Sequence, residues 1–139
     1  MLNSLKAISL GVLTIFILGL VNQLVLIMSA VGYNSLVKIS PVFLPWTQEF
    51  TYILAGIGFF IVMACGGLVT ARAALHQPYL KAVIASILGS SISLYLSLKD
   101  EIFTPIALFF VVFGLISSII GCWAWQRYEQ KKNNSAPLQ

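Results

Sequence analysis

Apolar residues in this chain fall into four long runs separated by short polar or proline-containing segments. The runs extend over Ala7–Tyr33, Thr51–Ala71, Ala82–Leu98 and Pro105–Gln126. An α-helix of about 20 residues crosses the hydrocarbon core of a bilayer, which is about 30 Å thick. A spanning segment must satisfy its backbone hydrogen bonds internally, and the short alternating segments of a transmembrane barrel do not occur in this sequence. The pattern predicts an all-α fold, a polytopic integral membrane bundle of four helices.

Composition supports that prediction. Hydrophobic residues make up 59% of the chain and charged residues only 9%, whereas soluble domains carry about 25% charged residues. Disordered chains are poor in apolar residues and rich in charge, so this composition excludes disorder as well. The net charge is +4, but the cations stand singly between apolar runs. Nucleic-acid binding needs a clustered basic face, so we expect no nucleic-acid partner.

The cations predict the orientation, because Lys and Arg of short loops are retained on the cytoplasmic side. Four spans place both termini on one side. That side collects Lys6, Arg72, Lys81, Arg127, Lys131 and Lys132, and the other side holds only Lys38 and Lys99. We therefore expect both termini to be cytoplasmic, in a cell membrane typical of the bacterial inner membrane. The first run exceeds the apolar region of a signal peptide, about 7–15 residues, so we expect it to remain as the first span.

Two segments lie outside the four spans of the single predicted domain, residues 1–127. Residues 34–50 are apolar for a loop, and Pro41 and Pro45 exclude a continuous helix there. Trp46 favours the membrane–water interface, so this segment is expected at the outer interface; a lid or a docking surface is the alternative. The tail, residues 128–139, is polar and is expected to be disordered and cytoplasmic.

Small residues form stripes on the last two predicted helices. The third helix has Ala82, Ser86, Ser90, Ser93 and Ser97 on one face, with Gly89 beside them, and the fourth has Ala107, Val111, Gly114, Ser118, Gly121 and Trp125. Spacings of three and four residues keep each stripe on one side of its helix. Small residues let membrane helices approach closely. These stripes predict a tight hairpin of the third and fourth helices, and Gly67 is a further packing position on the second.

Polar side chains recur near the predicted midplane on three helices. Asn22 and Gln23 lie in the first run, Ser90 in the third and Ser118 in the fourth. An amide that faces lipid is costly, so at least one of Asn22 and Gln23 is expected to face the bundle. This midplane cluster is interpreted as interhelical hydrogen bonding, and a path for a solute is the alternative.

The sequence offers little chemistry for catalysis. No Asp, Glu, Lys, Arg or His lies in the interior of a span, where proton relays and coupled transporters carry such a residue. His76 is the single histidine, and Cys65 and Cys122 stand alone. No nucleophile turn of the Gly-x-Ser-x-Gly type is present. We therefore predict no catalytic residue, no metal site, no cofactor and no enzyme activity.

Two functions remain from different classes. The first is an accessory or scaffold subunit that acts through helix packing, with the lipid bilayer and either further copies of itself or a larger membrane complex as its partners. The second is a small oligomeric transporter or channel whose path is lined by Asn22, Ser90 and Ser118.

Overall fold

The computed structural model describes residues 2–74, 76–97 and 105–134, and within these ranges the chain forms four α-helices. The helices are α1 (Leu2–Ile39), α2 (Thr47–Ala73), α3 (Pro78–Ser97) and α4 (Pro105–Asn134), with a short 3-10 segment (Pro41–Trp46) between the first two. Three stretches are long and apolar enough to cross a membrane: Asn3–Ile39, Pro41–Ala73 and Leu108–Asn133. The apolar part of α3, Pro78–Ile92, is shorter. The all-α expectation is confirmed.

The predicted outer loop is mostly helical. α1 continues to Ile39, and the backbone is extended only at Ser40 (φ −137°, ψ 95°) before the 3-10 segment begins. Pro41 causes this break, because proline pushes the preceding residue out of the helical region and lacks an N–H. The expectation of a loop over residues 34–50 is therefore wrong, although the prolines do interrupt the helix.

The polar tail is also more ordered than expected. α4 continues past Arg127 to Asn134, with Lys131 and Lys132 in its last turn. Cations in the last turn of a helix interact favourably with the exposed carbonyls there. The expectation of disorder is wrong for residues 128–134, and residues 135–139 lie outside the described part.

Contacts between the helices define an up-down-up-down bundle. Tyr33 of α1 stacks on Phe50 of α2, with ring centroids 4.8 Å apart, so these two helices are antiparallel. α2 and α4 run parallel, because the rings of Phe59 and Phe110 meet near one end (5.4 Å) and Arg72 lies over the ring of Trp125 at the other (5.5 Å). Around the bundle the helices follow the order α1, α2, α4, α3, and each contacts the next. α2 and α3 also contact each other across the bundle, whereas α1 and α4 make no contact within the described residues. Both ends of the described chain therefore lie at the end of the bundle that contains Arg72.

The inward face of α1 follows a regular repeat. Its buried and half-buried positions include Ala7, Gly11, Ile15, Leu18, Asn22, Leu26, Ser29 and Tyr33. These positions are separated by three or four residues and average close to 3.5, the spacing that keeps one seam against a neighbouring helix in left-handed packing. The rest of α1 is largely uncovered: 11% of its most apolar window is buried, against 28% in each of the other two long apolar stretches.

Candidate functional site: a glycine crossing and a buried hydroxyl cluster

α2 and α4 cross with their backbones in direct contact at two glycines. A Cβ added at Gly67 would overlap the carbonyl oxygen of Ser118, and a Cβ added at Gly121 would overlap the carbonyl oxygen of Ala64. The two contacts are reciprocal, since each helix presents a glycine to a carbonyl of the other. Small residues at such crossings allow dispersion contacts and weak Cα–H···O bonds between membrane helices. Gly67 and Gly121, both predicted as packing positions, thus meet at one crossing.

Ile15 of α1 occupies the space left by glycines on two other helices. A Cβ added at Gly89 of α3 would lie 2.9 Å from Ile15 Cγ2, and one added at Gly66 of α2 would lie 2.8 Å from Ile15 Cδ1. Ile15 is fully buried and packs with Met63 in the apolar part of the core. Gly89 therefore faces α1, so the face of α3 that carries the small residues packs against both α1 and α4. The predicted α3–α4 hairpin describes only part of this packing.

The α3–α4 contact itself is formed by serines opposite small groups. Ser118 donates a hydrogen bond to the carbonyl oxygen of Ala82, at 3.2 Å. A Cβ added at Gly114 would lie 3.1 Å from Ser90 Oγ and 3.2 Å from Met63 Cε. The stripe of α4 therefore packs in the angle between α2 and α3. The side chain of Ser93 and the turn between α3 and α4, residues 98–104, lie outside the described part.

Five hydroxyl side chains are buried in the same part of the bundle. They are Thr70, Ser86, Ser90, Ser117 and Ser118, which we call the hydroxyl cluster. Thr70 and Ser117 donate to carbonyls one turn earlier in their own helices, those of Gly66 (2.8 Å) and Phe113 (2.7 Å). Only Ser118 of the cluster bonds across to another helix, so most of these hydroxyls do not link helices.

Two members of the hydroxyl cluster have no hydrogen-bond partner among the described residues, Ser86 Oγ and Ser90 Oγ. The carbonyl one turn before Ser86 is that of Ala82, which already accepts the bond from Ser118. Ser118 thus occupies the acceptor that Ser86 would ordinarily use. Buried polar groups without partners are uncommon and costly, so these two hydroxyls are the most unusual feature of the core.

The two adjacent amides of α1 have different surroundings. Asn22 is half-buried against α2, where a Cβ added at Gly58 would overlap its side-chain amide. Gln23 is exposed, and its amide forms no hydrogen bond to any described residue. Gly58 lies 12 residues after Trp46 and 14 before Arg72, so both amides are near the middle of α2. Asn22 is thus the one that faces the bundle.

Three residues of the predicted midplane cluster each contact a different part of the bundle. Asn22 meets Gly58, Ser90 meets Gly114, and Ser118 meets Gly67 and Ala82. Sequence reasoning missed Gly58, which lies opposite Asn22, and Gly11, which packs against Thr70 and Ala85. A search for glycines on the inward repeat of α1 and on the faces of α2 would have found the positions where helices approach most closely.

Metal-binding residues are sparse in the described ranges, which contain no group of three or more His, Cys, Asp and Glu side chains. Cys65 is half-buried and Cys122 is buried, and both are free thiols. The buried and half-buried polar groups of the bundle include the hydroxyl cluster, the carbonyls beside it and the amide of Asn22, and such groups can position helices or a neutral solute.

The comparisons with known proteins add no relative. No family model matches the chain, and neither the curated proteins nor the solved structures include a match. Inferences about function therefore depend on the residues and contacts of this chain.

Proposed function

We propose that this chain is an integral membrane protein with four spans and both termini on the cytoplasmic side. The tryptophans support this proposal: Trp46 lies at one end of α2, and Trp125 lies beside Arg72 at the other. Arg72 follows Trp46 by 26 positions, a separation of about 39 Å along a helix. That length fits a hydrocarbon core of about 30 Å with tryptophans at both interfaces.

Within the membrane, we propose that the protein is a non-enzymatic accessory or scaffold subunit that acts through helix contacts. The observation that carries this proposal is the exposed amide of Gln23, which has no hydrogen-bond partner among the described residues. In a membrane, lipid cannot hydrogen-bond with an amide near the midplane, so the group remains unsatisfied at considerable cost. A helix from a second polypeptide, which carries a polar group at that depth, removes the cost.

The surroundings of Gln23 suit a neighbouring helix. Gly19 lies one turn before Gln23 with nothing within 4 Å of where its Cβ would be, and Ala30 is exposed two turns after. These residues are separated by four and seven positions and lie on the same side of α1. Small residues beside a polar one are typical of surfaces where membrane helices associate.

Mass spectrometry of the protein purified from its native membranes in lipid nanodiscs tests this proposal. We expect a stoichiometric second polypeptide or a second copy, which Gln23→Leu removes without lowering the thermal stability of the isolated bundle. The double variant Gln23→Leu/Leu24→Gln, which keeps the composition and moves the amide to the neighbouring exposed position, should not restore the association. Recovery of the wild-type chain as a monomer without any such polypeptide would contradict the proposal.

A second candidate, a small transporter or channel, is favoured by the two enclosed hydroxyls without partners, Ser86 and Ser90. A solute passing through the core would find hydrogen-bonding groups there. Liposome flux assays with Ser90→Ala and Asn22→Leu separate the two functions. A path predicts that both changes alter flux while the fold is retained. A scaffold predicts that both leave flux unaltered and that Asn22→Leu changes stability or assembly.

A further inference from the structure

The first turn of α3 contains a lysine that is buried without a counter-charge. Lys81 is only 7% exposed, and it is the fourth residue of a 20-residue helix. Its side chain has neither an ion pair nor a hydrogen bond within the described part of the chain. A long charged side chain commonly buries its stem and keeps its charged head accessible. Lys81 therefore has a buried stem, and its ammonium lacks a partner among the described residues.

The backbone around Lys81 adds further positive groups. Pro78, the first residue of α3, has no N–H, and the N–H of Lys81 donates to the carbonyl of Gln77 at 3.3 Å. The N–H groups of Tyr79 and Leu80 have no acceptor among the described residues. Free amides and the helix dipole make a helix N-terminus favourable for anions. Side chains of a helix lean toward its N-terminus, so we expect the stem of Lys81 to run toward the turn that carries these amides.

The charges at this end of the bundle do not neutralise Lys81. The other Lys, Arg, His, Asp and Glu residues described there are Lys6, Arg72, His76, Arg127, Glu129, Lys131 and Lys132. Glu129, the single carboxylate among them, forms no ion pair with Lys81. Within the described part, the only fully enclosed side-chain atoms without partners are Ser86 Oγ and Ser90 Oγ. Lys81 Nζ is not among them, so the ammonium keeps accessible surface and is open to a ligand.

We propose that Lys81 and the N-terminal amides of α3 form a binding site for a phosphate group. A phosphate offers several acceptor oxygens and negative charge, which suit one ammonium together with two N–H groups that have no acceptor among the described residues. Two sources have this chemistry, the headgroup of an anionic phospholipid and free phosphate. The lipid source rests on the membrane insertion proposed above, where this end of the bundle lies at the cytoplasmic headgroups. The free phosphate source does not depend on it.

Native mass spectrometry of the full chain in a neutral detergent tests the site, with phosphatidylglycerol as the probe and diacylglycerol as the lipid without phosphate. We expect Lys81→Gln to weaken phosphatidylglycerol binding about tenfold, which corresponds to roughly 1.4 kcal/mol. Lys81→Arg, which keeps the charge, and Lys132→Gln, which removes one exposed charge, should bind as the wild type does. Equal binding by Lys81→Gln and the wild type, or an equal loss in Lys132→Gln, overturns the proposal.

Inorganic phosphate distinguishes the two sources. If it raises the thermal unfolding midpoint of the wild type but not of Lys81→Gln, and displaces the lipid, free phosphate is the ligand. If it does neither and phosphatidylglycerol binding still depends on Lys81, the lipid headgroup is the ligand. Failure of the chain to float with liposomes would refute membrane insertion separately, and the phosphate result would still decide the site.

A measurement on the wild type covers the case in which Lys81→Gln does not fold. A photoactivatable phosphatidylglycerol, with the reactive group at the headgroup, is cross-linked to the wild-type chain and the modified peptide is identified. We expect modification within residues 76–81. Modification confined to residues 127–134 of α4 would overturn the site, because the lipid would then be held by the exposed basic residues there.

Discussion

At the scale of single residues, the packing of the bundle depends on glycines that lack a Cβ where another helix approaches. Gly11, Gly58, Gly66, Gly67, Gly89 and Gly121 each meet an atom of another helix that an added Cβ would overlap. Gly19, Gly32 and Gly56 have open space instead. The sequence contains all these glycines without marking which group each belongs to. The distinction comes from how the helices are rotated about their axes.

This distinction predicts that the same Gly→Ala substitution lowers the stability of the bundle at one glycine and leaves it unchanged at another. Gly121→Ala places its methyl 2.7 Å from the carbonyl carbon of Ala64, and forcing an extra carbon into a packed contact costs typically about 1–3 kcal/mol. Gly56→Ala adds the same methyl to open space, so it should leave stability unchanged. Thermal unfolding of the two variants in detergent measures the difference, and an equal response would contradict the backbone crossing of α2 and α4.

The hydroxyl cluster predicts a second contrast, between two buried serines. Ser118→Ala removes the bond to the Ala82 carbonyl and should destabilise the bundle by about 0.6 kcal/mol, the average for such bonds between membrane helices. Ser90→Ala removes a buried hydroxyl without a partner, so it should be neutral or stabilising. Unfolding in a denaturing detergent provides the comparison. A large loss of stability in Ser90→Ala would show that its hydroxyl has a partner, such as a bound solute.

At the scale of helices, the ends follow from local chemistry only in part. Helical segments begin at Pro41, Pro78 and Pro105, and of these starts the sequence pattern predicted only Pro105, since it began the third helix at Ala82. The apolar pattern did not predict the observed ends of α1 and α4, because both helices continue past the end of their predicted apolar runs. Residues 34–39 and 128–134 are helical although the first were expected as loop and the second as disordered. Hydropathy reports which part of a helix suits lipid, and backbone hydrogen bonding carries the helix further.

Tyr33 makes two contacts that hold the turn between α1 and α2. Tyr33 stacks on Phe50, and its hydroxyl donates to the carbonyl oxygen of Phe43 at 2.8 Å. Tyr33→Phe keeps the stacking and removes a bond worth about 1 kcal/mol, so amides of the 3-10 segment should exchange with solvent about fivefold faster. Tyr52→Phe, at an exposed tyrosine without such a bond, is the matched control. Hydrogen-exchange mass spectrometry measures both, and unchanged exchange in Tyr33→Phe would refute this role.

At the scale of the whole molecule, the sequence predicted the number and class of the helices but not how they are arranged. The small stripe of α4 suggested packing on α3, and the structure shows that it packs on α2 as well, through Gly121 and Ala64. Asn22 and Ser90 were expected at similar depth, and each meets a different glycine. Stripes identify which side of a helix is buried. Which neighbouring helix packs on that side depends on all the contacts between the four helices, and these cannot be derived from one helix at a time.

The positions of the cations predict the orientation of the whole molecule in the membrane. Lys6, Arg72 and Lys81 lie at the end of the bundle that also holds both described chain ends, while Lys38 and Glu49 lie at the other. Because cations are retained on the cytoplasmic side, we expect His76 to face the cytoplasm and the exposed Gln48 to face outward. Single cysteines at these two positions, in a Cys65→Ala/Cys122→Ala background, report the side through a membrane-impermeant maleimide. Gln48→Cys should react in intact cells and His76→Cys only after permeabilisation. The reverse pattern would place both termini outside, and the proposed phosphate site would then face the outer leaflet.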